Sequence, residues 1–354
     1  MPTKFLEGLG GKLAEQWAAS LLTPAFVFWL GGLIAWIQKF GWNQLQQWLT
    51  SLGEPLQIAV LVGSLLPVAA SAFVVQRFDL AVLRCFEGYW PEWMAPLKDR
   101  LVKRQRAKWE RLDDKWQLLK KLENELLKPD PNQEKQLTKS NQLEHLTPTT
   151  LGNLLKALEK KEELPKFTSD QKRQLVKELD QSVAIIDWQL RQMPAQPERL
   201  TPTTLGNLLR AAENQPTAKY GLDAIICWSR LWLVLPETVK KELQEARADL
   251  NTAARVWLWG LLFVFWTIWA WWAVPIALLV ALFAHRWMLD AAATYGDLLE
   301  SAFDLHRMKL YQSLHFPLPT NSAEERELGA KVTQYLWRGT RQDVFVYPME
   351  KAGD

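Results

Sequence analysis

The side chains best placed to do chemistry stand at the end of an apolar run. Val256 to Ala284 carries no charge over 29 residues, and His285, Arg286 and Asp290 follow it at once. On a helix Arg286 and Asp290, four residues apart, share a face where a guanidinium and a carboxylate can pair. If that helix crosses a bilayer, such groups serve an ion or proton path, or else they lie at the headgroup boundary with the arginine reaching lipid phosphate. Metal chemistry has less support. His145, His285, His306 and His315 form no H-E-x-x-H or E-x-x-H array, and Cys85 and Cys227 cannot make a disulfide framework or a four-thiolate zinc site. G-x-S-x-G, phosphate-loop and dinucleotide patterns do not occur. No catalytic residue, metal ligand or cofactor is therefore expected.

A second constellation is duplicated. LTPTTLGNLLKALE occupies residues 146–159 and LTPTTLGNLLRAAE occupies 200–213, identical at 12 of 14 positions with an offset of 54. Thr-Pro-Thr-Thr before an apolar periodic run is a helix start. Gly152 and Gly206 then fall inside the first helical turns, where glycine costs about 1 kcal/mol relative to alanine. Its use twice points to close backbone packing, as in a duplicated helical hairpin. Asn153 and Asn207, next to these glycines, are the alternative: a duplicated ligand or ion site.

The elements that must carry these groups read as helical throughout, so the expected class is all-α. Tryptophan is abundant, 20 residues in 354, and mean hydropathy is −0.15 because apolar stretches near both ends flank a charged centre. A net charge of +3 does not suit a nucleic-acid-binding polycation. Leu21–Ile37 and Ile58–Val75 are uncharged and long enough to span, and Leu21–Ile37 reads as a retained anchor with no signal-cleavage site at its end. Val256–Ala284 is too long for one upright span, at about 43 Å as a helix. It is read as a hairpin, out over about 253–270 and back from Pro275 to about Thr294, which makes four transmembrane helices in two pairs. Between Lys98 and Arg111 stand seven Lys/Arg against two acids. That bias places the central segment, and with it both termini, in the cytoplasm. The expected division is an N-terminal transmembrane pair at 1–92, a cytoplasmic helical domain with the repeats at 93–250, a transmembrane hairpin at 251–296 and a cytoplasmic tail at 297–354.

Within the central segment, Val102, Trp109, Leu112, Trp116, Leu119 and Leu126 form a heptad-like stripe, available either to the rest of the domain or to a coiled coil between protomers. The stretch from Leu222 to Leu235 is too short to span and suits a membrane interface or a domain core. Near the C-terminus, DVFVYP has the pattern of a short docking strand.

LTPTTLGNLLRAAE, KYGLDAIICWSRLW and TYGDLLESAFDLHR, over roughly 200–320, resemble segments of a group of bacterial multi-pass membrane proteins to which no activity is attached. The resemblance implies a bacterial inner (plasma) membrane, or a thylakoid should the source be a cyanobacterium, and supplies no site residues. Two function classes follow. A membrane scaffold or adaptor, acting through its cytoplasmic helices on a protein partner or a second copy, needs only an anchor and a helical surface. An oligomeric channel or transporter needs polar lining, which His285, Arg286 and Asp290 would have to supply. A membrane enzyme finds the least support.

Overall fold

The computed structural model describes residues 11–127, Leu154 and 169–339, and all regular structure among them is helical. The α-helices run, in chain order, α1 Gly11–Phe40, α2 Trp42–Ser51, α3 Glu54–Gln76, α4 Asp79–Glu87, α5 Ala95–Leu127, α6 Ser169–Arg191, α7 Thr204–Tyr220, α8 Ala224–Val234, α9 Glu237–Leu262, α10 Ala273–Ser313 and α11 Ser322–Arg338. Local chemistry sets several boundaries. The Asp223 carboxylate caps α8 by accepting from the Ile226 N–H at 3.0 Å, and Asn321 caps α11 through the N–H groups of Ala323 and Glu324. Gly88 closes α4 in a left-handed conformation. Pro67 is accommodated inside α3, and Pro275 lies in the first turn of α10.

The chain divides into two compact units, Met1–Trp93 with Thr204–Asp354, and Met94–Thr203. In the second, Leu119, Leu122 and Leu126 of α5 pack with Leu175, Leu179, Val183 and Ile186 of α6. The later part of the heptad-like stripe, from Leu112 to Leu126, is thus used within the chain.

In the first unit α9 and α10 pair, joined by a 3-10 segment at Phe263–Ile268. The four-span layout is overturned. Among the described residues only two helices are long and apolar enough to cross a membrane, the one that begins at Glu54 and Ala273–Ser313. The hairpin expected at 253–294 has different arms. α9 starts at Glu237, just after Pro236, so its apolar end is continuous with a charged helix and stops at Leu262. No uncharged helix of spanning length remains on that side. In α1 the described side chains begin at Thr23, and from there Pro24, Gly31, Gly32, Gln38 and Lys39 dilute the apolar run.

The two qualifying helices are poorly buried inside the protein. Of their most apolar eighteen-residue stretches only 12% and 28% is buried inside the protein. Outward on α3 stand Ile58, Val62, Leu65 and Leu66, and on α10 Leu278, Leu279, Leu282 and Phe283, while Ala72, Ala273, Ala277 and Ala284 face inward. Small residues inside and bulky ones outside is the pattern of helices that pack in lipid. These are the features of a membrane-associated protein. At the contact between α1 and the 3-10 segment, the Phe263 and Trp266 rings lie directly on Gly31 and Gly32, nearer than any Cβ could stand. The Trp266 indole donates to the Phe28 carbonyl at 3.0 Å, and the Trp29 indole donates to the Ser71 hydroxyl at 3.0 Å. These two indole N–H groups thereby find partners away from water, whereas that of Trp259, buried beside Phe28, has none among the described residues.

Candidate functional site

The structure does not assemble His285, Arg286 and Asp290 into one site. All three lie on α10, where Arg286 and Asp290 are exposed and, among the described residues, no ion pair links them. The i, i+4 pairing expected from the sequence is therefore absent. His285 is half-buried against the Phe86 ring, with centroids 5.4 Å apart. Gly206 and Asn207 are buried on α7, Asn207 at 1% exposure. Their neighbours Leu205, Leu208 and Leu209 pack among Val82, Leu83, Leu250, Met288 and Ala292. The second copy of the duplicated motif is thus a core helix of its unit. Gly152 and Asn153, with the rest of the first copy apart from Leu154, lie outside the described residues, as does DVFVYP.

Three other polar arrangements emerge in the first unit. At the foot of α3, Arg255 of α9 forms a two-pronged pair with Asp79 of α4, the guanidinium Nε donating at 3.2 Å and an Nη donating to the other carboxylate oxygen. Both side chains are nearly covered, at 6% and 11% exposure. A buried pair of this kind is costly to break and fixes the approach of the two helices. Its members were readable only as single charges at the margins of two apolar runs, Asp79 three residues past Gln76 and Arg255 one residue before Val256.

At the far end of α10 a second network joins three helices. Lys219, in the last turn of α7, pairs with Glu300 and with Asp304 at 3.2 Å. The Tyr220 hydroxyl donates to Asp304 at 2.7 Å, and the Arg307 guanidinium stacks 4.1 Å from the centre of the Tyr220 ring. Arg307 also donates to Glu325 of α11 at 2.6 Å. Burial would lower the Lys219 pKa, but its hydrogen bonds to Glu300 and Asp304 outweigh that and hold it above the ordinary lysine value. The chain passes from α7 to α8 through Gly221, whose φ of +72° and contact with the Arg326 carbonyl both exclude a side chain. The sequence shows Glu300, Asp304 and Arg307 on one helical face; their partners Lys219, Tyr220 and Glu325 come from distant segments that periodicity cannot link.

The third arrangement is concave. Two adjoining cavities, of about 230 and 390 Å³, lie among α7, α8, α9 and α10 and share Trp228 and Tyr295 as a common wall. The smaller contains Leu209, Ala212, Ile225 and Leu299 with Glu213; the larger contains Trp232 and Leu243 with Gln244 and Arg247. Burial, and after it the neighbouring Glu87 carboxylate, push the Glu213 carboxyl above the ordinary range. The Arg247 guanidinium sits 5.6 Å from the centre of the Tyr295 ring. Cys227, beside this groove in the core, behaves as a small hydrophobe: burial pushes its thiol up to about 11. No group of three or more His, Cys, Asp and Glu side chains that could hold a metal ion occurs among the described residues. The chain matches no protein-family model, no curated protein and no solved structure.

Proposed function

We propose that the protein is a scaffold or adaptor of a bacterial inner (plasma) membrane, held in the lipid bilayer by its apolar helices and recruiting a protein partner, or a second copy of itself, through the helices on the cytoplasmic side. The reading is supported first by the outward leucines of α3 and α10, which need lipid against them. The basic run from Lys98 to Arg111 supports a cytoplasmic position for the segment after α3. The observation that carries recruitment is on α6. Ile185 and Trp188, three residues apart on one helical face, are 59% and 61% exposed. A tryptophan beside an aliphatic side chain, standing out from a rigid helix, has the composition of an interface anchor.

The test uses the full-length chain in its native membrane. Chemical crosslinking is expected to trap a complex that Ile185→Ala with Trp188→Ala reduces at least tenfold, while the chain stays in the membrane fraction. A chain that forms no crosslinked complex would end the scaffold reading. So would ion flux through the reconstituted protein that disappears on neutralising Arg286 or Asp290, which would install the channel alternative.

A further inference from the structure

We propose that the groove walled by Trp228 and Tyr295 is a binding site for a single-chain anionic amphiphile, an acyl carboxylate whose headgroup is held by Arg247. Three observations select that ligand class.

The first is the lining. Apart from Glu213 the smaller cavity is lined by apolar and aromatic residues, the larger sets Trp228, Trp232, Leu243 and Tyr295 beside Ser229, Gln244 and Arg247, and their volumes of about 230 and 390 Å³ together fall in the range of small-molecule sites. An acyl chain suits two hollows that adjoin at a shared pair of rings, with the apolar one beside the one that holds the arginine.

The second is charge. Among the described residues Arg247 has no carboxylate within 4 Å, although it is half-buried. Asp249, two residues on, is engaged by the Trp287 indole at 3.1 Å. Glu213 feels the Arg247 charge but does not pair with it. A half-desolvated guanidinium stacked on a ring leaves its N–H edge for an anion. One free cation matches a single carboxylate, whereas a phosphate dianion would want a second. A cationic ligand would be repelled, and a purely apolar one would leave the guanidinium without an acceptor.

The third is position. Arg247 precedes Val256 by 9 residues and Tyr295 follows Ala284 by 11. At 1.5 Å per residue both lie roughly 15 Å beyond the end of the uncharged run, on paired helices. An amphiphile leaving the headgroup zone therefore meets the groove within about its own length. The inference stands on the groove and not on the scaffold reading, and its test involves no protein partner.

The experiment photolabels the full-length protein in lipid nanodiscs with a twelve-carbon fatty acid bearing a terminal diazirine, followed by peptide mapping. Saturable labelling is expected on α8 and on α10 around Leu299, competed by dodecanoate and at least tenfold less well by dodecanol. Arg247→Gln should cut the labelling about tenfold with unchanged thermal unfolding. Gln244→Trp, which fills the larger cavity from an exposed position, should block it independently of charge. Labelling confined to α3 and residues 273–284, equal competition by dodecanol, or full labelling in both variants would each overturn the site.

Discussion

The two ends of α10 pack in opposite senses. From Ala273 to Ala284 the helix turns alanines toward its neighbours and leucines and Phe283 away from them. From Asp297 to Gln312 it buries Leu299, Phe303, Leu310 and Tyr311, while Asp297, Ser301, Lys309 and Gln312 face outward, with Leu305 as an exposed apolar exception. One continuous helix thus obeys two rules. In water, bulky side chains go inside because each buried Å² of apolar surface is worth about 25 cal/mol. In lipid that gain vanishes, and close approach of small residues holds helices together instead. The change of rule along α10 is the contrast that passage from lipid to water would produce.

Asp79→Ala is expected to have the largest effect, since the buried pair with Arg255 sits where the two regimes meet. Removing one member of a buried ion pair costs about 3–5 kcal/mol. Denaturant titration in detergent should show that loss and show most of it restored by Asp79→Leu with Arg255→Met. Leu66→Lys on α3, whose outward leucines match those of the first half of α10, tests the lipid-facing side of the comparison. Leu66 is 71% exposed; in water the change would be nearly neutral, but at a bilayer centre it costs about 3 kcal/mol of insertion. Ser301→Lys, outward on the other half of α10, is the control. Equal membrane insertion of the two variants would dissolve the contrast. Gly32→Leu forces a side chain into the Trp266 ring, and overpacking of this kind destabilises by about 1–3 kcal/mol. Trp fluorescence and unfolding should register it, more strongly than Gly63→Leu, whose site is open.

The smallest effect concerns pH. The Glu213 carboxyl, raised by burial and by Glu87, binds its proton more tightly folded than unfolded. Its contribution therefore favours the folded state at low pH and is lost as pH rises from the unfolded value near 4.5 through the raised folded one. Glu213→Gln should flatten that dependence and unfold later than the native chain at pH 8. An unchanged pH profile would place the carboxyl in water.

Much of this contrast is legible in the sequence. Uncharged runs and Pro275 announce helices, a turn and an all-α chain. The number of spans is not legible, because hydropathy alone cannot show that Val256–Leu262 is the end of a helix begun at Glu237. Pairing across 176 residues, as between Asp79 and Arg255, leaves no periodic trace. The groove is equally hidden: Trp228, Arg247 and Tyr295 come from three helices, and the sequence gives Trp228 only as part of an apolar segment. By contrast, Arg286 and Asp290 are conspicuous as charges after an apolar run, and in the fold they are simply exposed. Conspicuous charges report where the lipid stops; concealed ones report how helices are locked.

The unbroken length of α10 has a mechanical consequence. Forty-one residues make a rod of roughly 60 Å, with one end clasped among α1 and the aromatic turn and the other bound by salt links to α7 and α11. Rocking it by ten degrees about the first end would swing the second by roughly 10 Å, so bilayer thinning or stretch would reach Lys219 and Glu325 as leverage.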